Sequence, residues 1–208
     1  MGTRAQLTVV DALRDRIENS MSGQYILAHD LGTMGDEVTL WDLEGHLVAS
    51  VTVSYPTYHP RPTWAEQNSW DWWKAFVKST KNILKKARVD PSGIIAVGFS
   101  GQMMECLPVD RSGTPLRNSI IWMDERATLQ ADRIRRVFGE RGYYKISGVP
   151  LTPTWPLKMM WLKEEEPEVF DKTYKFLQSN EFVVKMLTGE MLSDYSQASL
   201  TGALDVHR

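Results

Sequence analysis

Apolar residues along this chain follow two different spacings, which predict strands in the first part and alternating helices and strands afterwards. Three apolar stretches before residue 55 have strand composition, and a turn pair at 44–45 separates the last two. The stretches are Tyr25–Asp30, Val38–Asp42 and Leu47–Val53. They predict a three-stranded meander. From Asn68 to Ala87 the apolar spacing changes to three and four residues, which predicts an amphipathic helix capped by Asn68 or Ser69.

The remaining pattern predicts an α/β fold with a mixed sheet covered by helices. Ile94–Phe99 is continuously apolar, as is typical of a strand buried on both faces, so we expect helices on both faces of the sheet. Further elements follow in alternation. They are strand and loop segments at 107–109 and 120–123, helices at 125–138, 158–162 and 181–187, and a strand at 174–177. A meander followed by alternating strands and helices indicates an α/β fold.

Composition narrows the class of protein. The 208 residues are enough for one large domain or two small ones with a real core. With 24 basic and 26 acidic residues, the charge balance argues against nucleic acid or a membrane surface as a partner. Cys106 is the single cysteine and cannot form an intrachain disulfide, which favours a reducing cytoplasm. Residues 1–24 contain no signal-peptide core, and we interpret them as an amino-terminal extension.

The end of the first strand, Asp30-Leu31-Gly32-Thr33, is the clearest candidate for chemistry. A carboxylate at a strand end can hold a hydrated divalent cation, usually magnesium. Gly32 permits close backbone approach to a ligand, and Thr33 offers an amide and a hydroxyl group to phosphate oxygens. The segment therefore predicts a phosphate site. A turn-capping role for Asp30 is the alternative.

Further motifs follow this turn in order. They are Trp64-Ala65-Glu66-Gln67, Gly101-Gln102-Met103, Trp122-Met123-Asp124-Glu125-Arg126, Lys158-Met159-Met160-Trp161-Leu162 and Ser193-Asp194-Tyr195-Ser196-Gln197-Ala198-Ser199. Together with the turn after the first strand, their order and spacing resemble the amino-terminal, sugar-binding domain of the FGGY carbohydrate kinases, nearest to the xylulokinases. The resemblance covers residues 25–208, with the carboxyl end of that domain incomplete.

The resemblance implies a ribonuclease-H-like, actin-like domain of an enzyme that transfers a phosphoryl group from ATP to a sugar hydroxyl, with Mg²⁺ as cofactor. It implies that Asp30 assists the metal and that Gly32 and Thr33 face the phosphate. Other positions match the sugar pocket of the family. They are Gln102, Met103 and Met104, with Asp124 and the loop around Trp155 as further wall candidates. Two alternatives stay open, because methionines after a strand are often core filler and Asp124 could cap a helix.

Three departures from the family pattern bear on function. Xylulokinases usually carry a histidine after the Gln-Met pair, where this chain has Met104 and then Glu105, so either Glu105 replaces the imidazole or the substrate differs. Glu37 stands where the family commonly places a basic residue, and a carboxylate about 5 Å from a phosphate would repel it by roughly 3 kcal/mol. Strand alternation directs Glu37 to solvent if Val38 faces the core. The family's catalytic aspartate is expected beyond Arg208, so no catalytic base is assigned.

Two functional interpretations follow. In the first, the chain supplies the sugar-binding part of an ATP-dependent pentulose kinase acting on xylulose, with ribulose, another ketose or glycerol as alternative substrates. The remainder would lie on a longer chain or on a partner chain that carries the ATP-binding domain. In the second, the chain is a non-catalytic module that binds sugar or a partner chain, and a homodimer is left open. A domain that lacks part of its fold would also expose apolar surface and self-associate.

Overall fold

The structure is a computed structural model that describes residues 23–152, 155–205 and 207. Its strands are β1 (Tyr25–Leu31), β2 (Gly35–Asp42), β3 (Leu47–Ser54), β4 (Glu66–Gln67), β5 (Ile94–Gly101), β6 (Leu107–Val109), β7 (Ser119–Ile120) and β8 (Lys175–Leu177). Its helices are α1 (Ser69–Ala87), α2 (Thr128–Ser147), α3 (Trp155–Glu165), α4 (Pro167–Lys172), α5 (Ser179–Thr188) and α6 (Tyr195–Leu200). The amino-terminal extension predicted for residues 1–24 lies almost entirely outside the described residues.

The main sheet has the strand order β3-β2-β1-β5. The three strands of the meander pair in antiparallel fashion, whereas β1 and β5 run parallel. The predicted meander and mixed sheet are thus confirmed. The carboxyl ends of the two parallel strands lie side by side, and the backbone N–H of Gln102 donates to the carbonyl of Leu31 at 2.9 Å. This topology places the turn after β1 next to the segment after β5.

Helix α1 packs its apolar side on one face of the main sheet. It begins where the sequence predicts, because the side chain of Asn68 accepts a hydrogen bond from the N–H of Trp70 at 3.0 Å. Ile83 is fully buried against Val38 and Leu40 of β2. Burial of branched aliphatic side chains between helix and sheet is the main stabilisation at this interface.

A polar cluster is also enclosed between α1 and the sheet. His29 and Asp36 form a fully buried pair on β1 and β2, with 2.9 Å between Nδ1 and Oδ2. The hydroxyl of Ser79 on α1 donates to the same carboxylate. The imidazole also contacts Phe76, with 4.5 Å between ring centroids. Because buried polar groups need defined partners, this cluster fixes the register of α1 on the sheet.

The opposite face of the main sheet differs from the prediction. The described helices that contact this sheet, α1 and α5, lie on one face only, and β5 is an edge strand. Ile95 and Val97 are 52% and 42% exposed, so β5 is not buried on both faces as its apolar sequence predicted. Apolar composition reports a tendency to be buried, but the outcome depends on which elements are present to cover the strand.

The second half of the chain adds two small sheets, β4-β7 and β6-β8, and helices α2–α6. Helix α2 begins three residues later than predicted and continues to Ser147, with a break in helical geometry at Gly139. Helix α3 ends at Glu165, and the short helix α4, which was not predicted, begins at Pro167. Within the described ranges, no helix combines the length and apolar composition needed to cross a lipid bilayer.

Candidate active site

The end of β1 carries the first predicted site residue. Asp30 is the last but one residue of β1, and its carboxylate is exposed on the sheet face that no described helix covers. Glu37 lies directly opposite in the antiparallel pair with β2, so the two carboxylates share this face. They line an open cavity of about 490 Å³ together with Thr39, Gly98 and Ser100. Within the described part of the chain, neither carboxylate forms an ion pair.

Alternation along β2 decides where Glu37 points. Val38 is fully buried, so Glu37 is directed away from the core as the sequence predicted. This outward face is also the face of Asp30, however, and Glu37 therefore adds a negative charge beside the predicted metal ligand. Paired carboxylates repel an anion and attract a cation. Their oxygen atoms suit hydrated Mg²⁺, so the residues present fit the ion that the family resemblance implies.

The turn at residues 32–34 presents backbone N–H groups that can donate hydrogen bonds to an anion. The carbonyl groups of Gly32 and Met34 accept hydrogen bonds from the hydroxyl and the backbone N–H of Tyr55. Among the described residues, no acceptor is found for the N–H groups of Thr33 and Met34. A β-carbon at Gly32 would lie 3.6 Å from its nearest neighbour, so the fold itself does not require glycine there. Glycine there is compatible with the predicted close approach of a ligand to the backbone.

Thr33 is held by two side chains from other parts of the chain. Its hydroxyl oxygen accepts a hydrogen bond from the indole N–H of Trp122 at 3.0 Å, and its carbonyl accepts one from Nε2 of Gln67 at 2.7 Å. Because an indole N–H can only donate, the hydroxyl proton of Thr33 is left to point towards a different acceptor. This arrangement is the one that donation to a phosphate oxygen requires.

Gln67 connects this turn to the segment after β5. Its Oε1 accepts a hydrogen bond from the indole N–H of Trp72 at 2.9 Å, which fixes the orientation of the Gln67 amide. Gln102 must then present Nε2 to the same oxygen, 2.6 Å away. Its own Oε1 is buried without a hydrogen-bond partner among the described residues. Since buried acceptors rarely lack a donor, this oxygen is a candidate contact for a ligand hydroxyl group.

Met103 and Met104 follow Gln102 and are both partly exposed. Neither packs into the three hydrophobic clusters of the described residues, so their placement does not support the core-filler interpretation. Met104 has a left-handed backbone conformation with φ 66°. A residue other than glycine in this conformation costs on the order of 1–3 kcal/mol, and such strain concentrates at functional sites.

Glu105 is fully buried, whereas the sequence predicted that it contacts the sugar. Its side chain is fully buried, and Oε1 accepts a hydrogen bond from the backbone N–H of Ser179 at 3.2 Å. Burial raises the pKa of the Glu105 carboxyl group to about 8, although the Ser179 hydrogen bonds and the Lys158 charge act in the opposite direction. The carboxyl group is directed to the start of α5 and away from open surface. The structure therefore does not support replacement of the missing imidazole by Glu105.

Asp124 is also buried, and both of its carboxylate oxygens have partners within the protein. Oδ1 accepts from the backbone N–H and Nε of Arg126, and Oδ2 accepts from Nη2 of Arg126 and from the N–H of Ala65. The guanidinium lies over the ring of Trp64, 3.8 Å from its centroid. The cap residue of α2 is Ala127, so Asp124 is not a helix cap. It joins two loops and holds the segment that presents Trp122.

Comparison with known proteins agrees with this geometry. The description of the FGGY family of carbohydrate kinases, N-terminal domain, matches residues 25–208. The chain belongs to the FGGY family. A glycerol kinase of Thermococcus gammatolerans is 31% identical over 89% of this chain, and a gluconokinase and a xylulose kinase of Bacillus subtilis are each 31% identical over 88% and 89% of it. The ligand-bound xylulose kinase of Lactobacillus acidophilus superposes with a TM-score of 0.79 and 28% identity over 88% of the chain.

This FGGY chain spans only 35–38% of the length of those relatives and 37% of the Lactobacillus acidophilus enzyme. The mixed α/β fold predicted for the family is confirmed, with the exception of the uncovered sheet face. The relatives differ in the acceptor that their names state. Membership therefore establishes the family and leaves the acceptor to be argued from the site.

Two residues of the candidate site were missed from sequence. Gln67 and Trp122 both lie in motifs that carry the resemblance, yet neither received a role. Gln67 bonds to the turn at 32–34 and to Gln102, and Trp122 is 48% exposed while it donates to Thr33. The sequence did offer a signal for both residues, namely the side-chain amide of Gln67 and the indole of Trp122 within motifs otherwise rich in structural residues.

Proposed function

We propose that this chain is the acceptor-binding part of an ATP-dependent kinase that phosphorylates a hydroxyl group of a small sugar, with a pentulose such as xylulose as the substrate. The network around Gln67 carries the proposal. It joins a turn whose N–H groups have no acceptor in the described part of the chain to the buried oxygen of Gln102, which has no donor there. The catalytic base and the ATP-binding part are proposed to lie outside this chain, on the same or on a partner polypeptide.

The turn after β1 is assigned to the phosphate. The N–H groups of Thr33 and Met34 and the Thr33 hydroxyl donate to phosphate oxygens, since these donors have no acceptor among the described residues. The Asp30 carboxylate would hold hydrated Mg²⁺, and Glu37 is close enough to contribute through a bound water. When bound, Mg²⁺ neutralises charge on the transferred phosphoryl group.

The segments after β5 and β7 are assigned to the sugar. Oε1 of Gln102 accepts a hydrogen bond from one sugar hydroxyl group, and the amide holds its orientation through Gln67 and Trp72. The exposed ring of Trp122 offers an apolar surface to the carbon skeleton. Because Trp122 also contacts Thr33, the sugar side and the phosphate side of the site are directly connected. Such fixed groups orient an acceptor hydroxyl for in-line attack.

The experiment is ADP release by the full-length protein with ATP, Mg²⁺ and, in turn, xylulose, ribulose, glycerol and gluconate. We expect sugar-dependent ADP release with the highest kcat/KM for a pentulose. The variant Asp30→Asn should lower kcat by about a hundredfold or more, as expected when charge stabilisation at the phosphate is lost. Asp42→Asn is the matched control, because Asp42 lies at the other end of the same strand pair. Turnover unaffected by Asp30→Asn would refute the metal assignment.

Glu37 favours a second candidate function, a module that binds sugar without transferring phosphate. Its charge beside Asp30 opposes phosphate approach unless a cation intervenes. Intact mass and carboxyl-terminal peptides of the protein from its own cells distinguish the candidates. A mass well above 23.8 kDa with peptides beyond Arg208 supports the kinase. A mass of 23.8 kDa, together with sugar binding and no ADP release, supports the module.

A further inference from the structure

Met104 stands out because its left-handed conformation has no local cause. Gly101 lies three residues earlier, but the positive φ of 66° is at Met104. This conformation is unfavourable for a residue with a side chain. A strained backbone of this kind persists only where the surrounding structure fixes it. The groups that fix Met104 are therefore informative about the segment after β5.

Two buried side chains hold the backbone of Met104 on both sides. Its N–H donates to Oε1 of Gln178 at 2.7 Å, and its carbonyl accepts a hydrogen bond from Nζ of Lys158, also at 2.7 Å. Both partners are fully buried. The next carbonyl, of Glu105, accepts from the indole N–H of Trp155. Groups from α3 and from the residue preceding α5 thus bind a short segment that is 50 or more residues away in sequence.

Lys158 also donates to a second carbonyl group, in another segment of the chain. Nζ also donates to the carbonyl of Ile121 at 2.9 Å, and Ile121 directly precedes Trp122. One ammonium group therefore joins the segment of Gln102 to the segment of Trp122. A fully buried lysine is costly, since burial disfavours the charged form and lowers its pKa to about 8. An apolar side chain would fill the same space at less cost, so the two carbonyl contacts are the feature that distinguishes lysine here.

We propose that Lys158 and Gln178 are positioning residues that hold Met104 in its left-handed conformation and set the spacing between Gln102 and Trp122. The inference rests on the proposed function in one respect, namely that Gln102 and Trp122 contact the acceptor. Lys158 and Gln178 themselves touch neither sugar nor phosphate. They bind the segments on the acceptor side of the site, whereas the carbonyl groups of the turn at 32–34 accept hydrogen bonds from Tyr55 and Gln67.

We call the hold of Lys158 and Gln178 on the Met104 backbone the clamp. The first test measures this clamp without reference to catalysis. Met104→Gly removes the backbone strain, because glycine adopts positive φ readily. Urea unfolding of this chain is measured for Lys158→Met, Met104→Gly and the double variant. If Lys158 holds the strained conformation, Lys158→Met should shift the unfolding midpoint clearly more in the Met104→Gly background, because release of the strain at Met104 offsets part of the lost contact in the chain that keeps Met104. Equal shifts in both backgrounds would overturn the clamp. Gln178→Met repeats the cycle with the other partner, should Lys158→Met prevent folding.

The second test separates the two sides of the site in the full-length protein. With xylulose as the varied substrate, Lys158→Met and Gln178→Met should raise KM by about tenfold or more, because displaced groups bind the acceptor poorly. KM for ATP should change less than about twofold. Lys163→Met, on the exposed side of the same helix, is the matched control. Equal changes in both KM values would indicate a general structural role and refute the proposal.

The two tests fail independently. If the full-length protein phosphorylates none of the acceptors named above, the proposed function is wrong, while the unfolding cycle still decides whether Lys158 and Gln178 hold Met104. If the cycle shows no coupling but kinase activity is present, the proposed function stands and the clamp is refuted.

Discussion

At the scale of residues, Asp30 and Glu37 form an opposed pair of carboxylates with no described counter-charge. Directly opposed like charges on neighbouring strands destabilise a sheet by roughly 0.2–1 kcal/mol. We expect Glu37→Gln to increase the free energy of unfolding by an amount in this range, and the gain should shrink at high salt. Urea unfolding at two ionic strengths measures it.

The control for Glu37→Gln is substitution of the other carboxylate of the pair, alone and in combination. Asp30→Asn should give a similar gain, and the double variant should gain less than the sum, because either substitution already removes the repulsion. Additive gains would mean that the two carboxylates do not sense each other. Mg²⁺ should reduce the gain if both oxygens face the ion.

Glu105 gives a second prediction at this scale, through its proton. Its pKa is raised from 4.5 to about 8 by burial, so the folded chain keeps a proton that the unfolded chain has lost between these values. The free energy of unfolding should therefore fall as pH rises from about 5 to 8, by at most about 1.4 kcal/mol for each pH unit. Glu105→Gln should flatten this decline, and urea unfolding at a series of pH values measures it.

Lys158 acts in the opposite direction at higher pH. Its pKa is lowered from 10.5 to about 8, so stability should recover as pH rises from about 8 to 9. Above pH 9 the recovery should stop, because burial raises the pKa of the Cys106 thiol from 9.0 to about 12 and acts in the opposite direction. Glu125→Gln, at an exposed position, is the control and should leave the profile between pH 5 and 8 unchanged. An unchanged profile for Glu105→Gln would show that the Glu105 carboxyl group is not buried in solution.

At the scale of elements, the approach of β2 to β3 depends on the absence of a side chain at Gly35. A β-carbon there would lie 2.7 Å from the carbonyl oxygen of Val53 and 2.9 Å from Cα of Ser54, both backbone atoms that cannot rotate away. Gly35→Ala should therefore lower the free energy of unfolding by about 1–3 kcal/mol. Urea unfolding monitored by circular dichroism tests this expectation.

Gly142 on α2 provides the matched control. A β-carbon at Gly142 would meet its nearest neighbour, Cβ of Phe138, at an ordinary 3.8 Å. Since alanine favours helix over glycine by about 1 kcal/mol, Gly142→Ala should stabilise the chain or leave it unchanged. Destabilisation by both substitutions would contradict the assignment of Gly35 to a close backbone approach.

At the scale of the whole molecule, β5 is an apolar edge strand with open hydrogen-bonding groups. Ile95 and Val97 are exposed on it, and edges of this kind template pairing between chains. We expect the 208-residue chain alone to self-associate in a concentration-dependent way, as measured by sedimentation velocity. Val97→Lys should shift the equilibrium to monomer, because a charge on an edge strand opposes pairing.

Val137 serves as the control for this prediction. It is 74% exposed, more than Val97, but lies on helix α2 and offers no strand edge. Val137→Lys should leave self-association unchanged. A chain that remains monomeric at all concentrations would show that β5 does not mediate pairing, whatever covers it in the full-length protein.

The sequence by itself determined the features that depend on neighbours along the chain. The meander and the cap of α1 at Asn68 follow from short-range spacing and from the side-chain chemistry of a single residue. It also gave Asp30, Thr33 and Gln102 as candidate site residues, since motif order is a linear property. It failed for the exposure of β5, because burial depends on elements that pack from elsewhere.

The tertiary structure alone decided which groups meet. Gln67 and Gln102 are 35 residues apart, and Lys158 and Met104 are 54 apart, so no local pattern could join them. It also gave the buried carboxylates of Glu105 and Asp124 partners within the protein, the N–H of Ser179 for Glu105 and Arg126 and Ala65 for Asp124. A side chain's polarity can be read from the sequence, whereas its burial and its hydrogen-bond partners are set only when distant segments pack together.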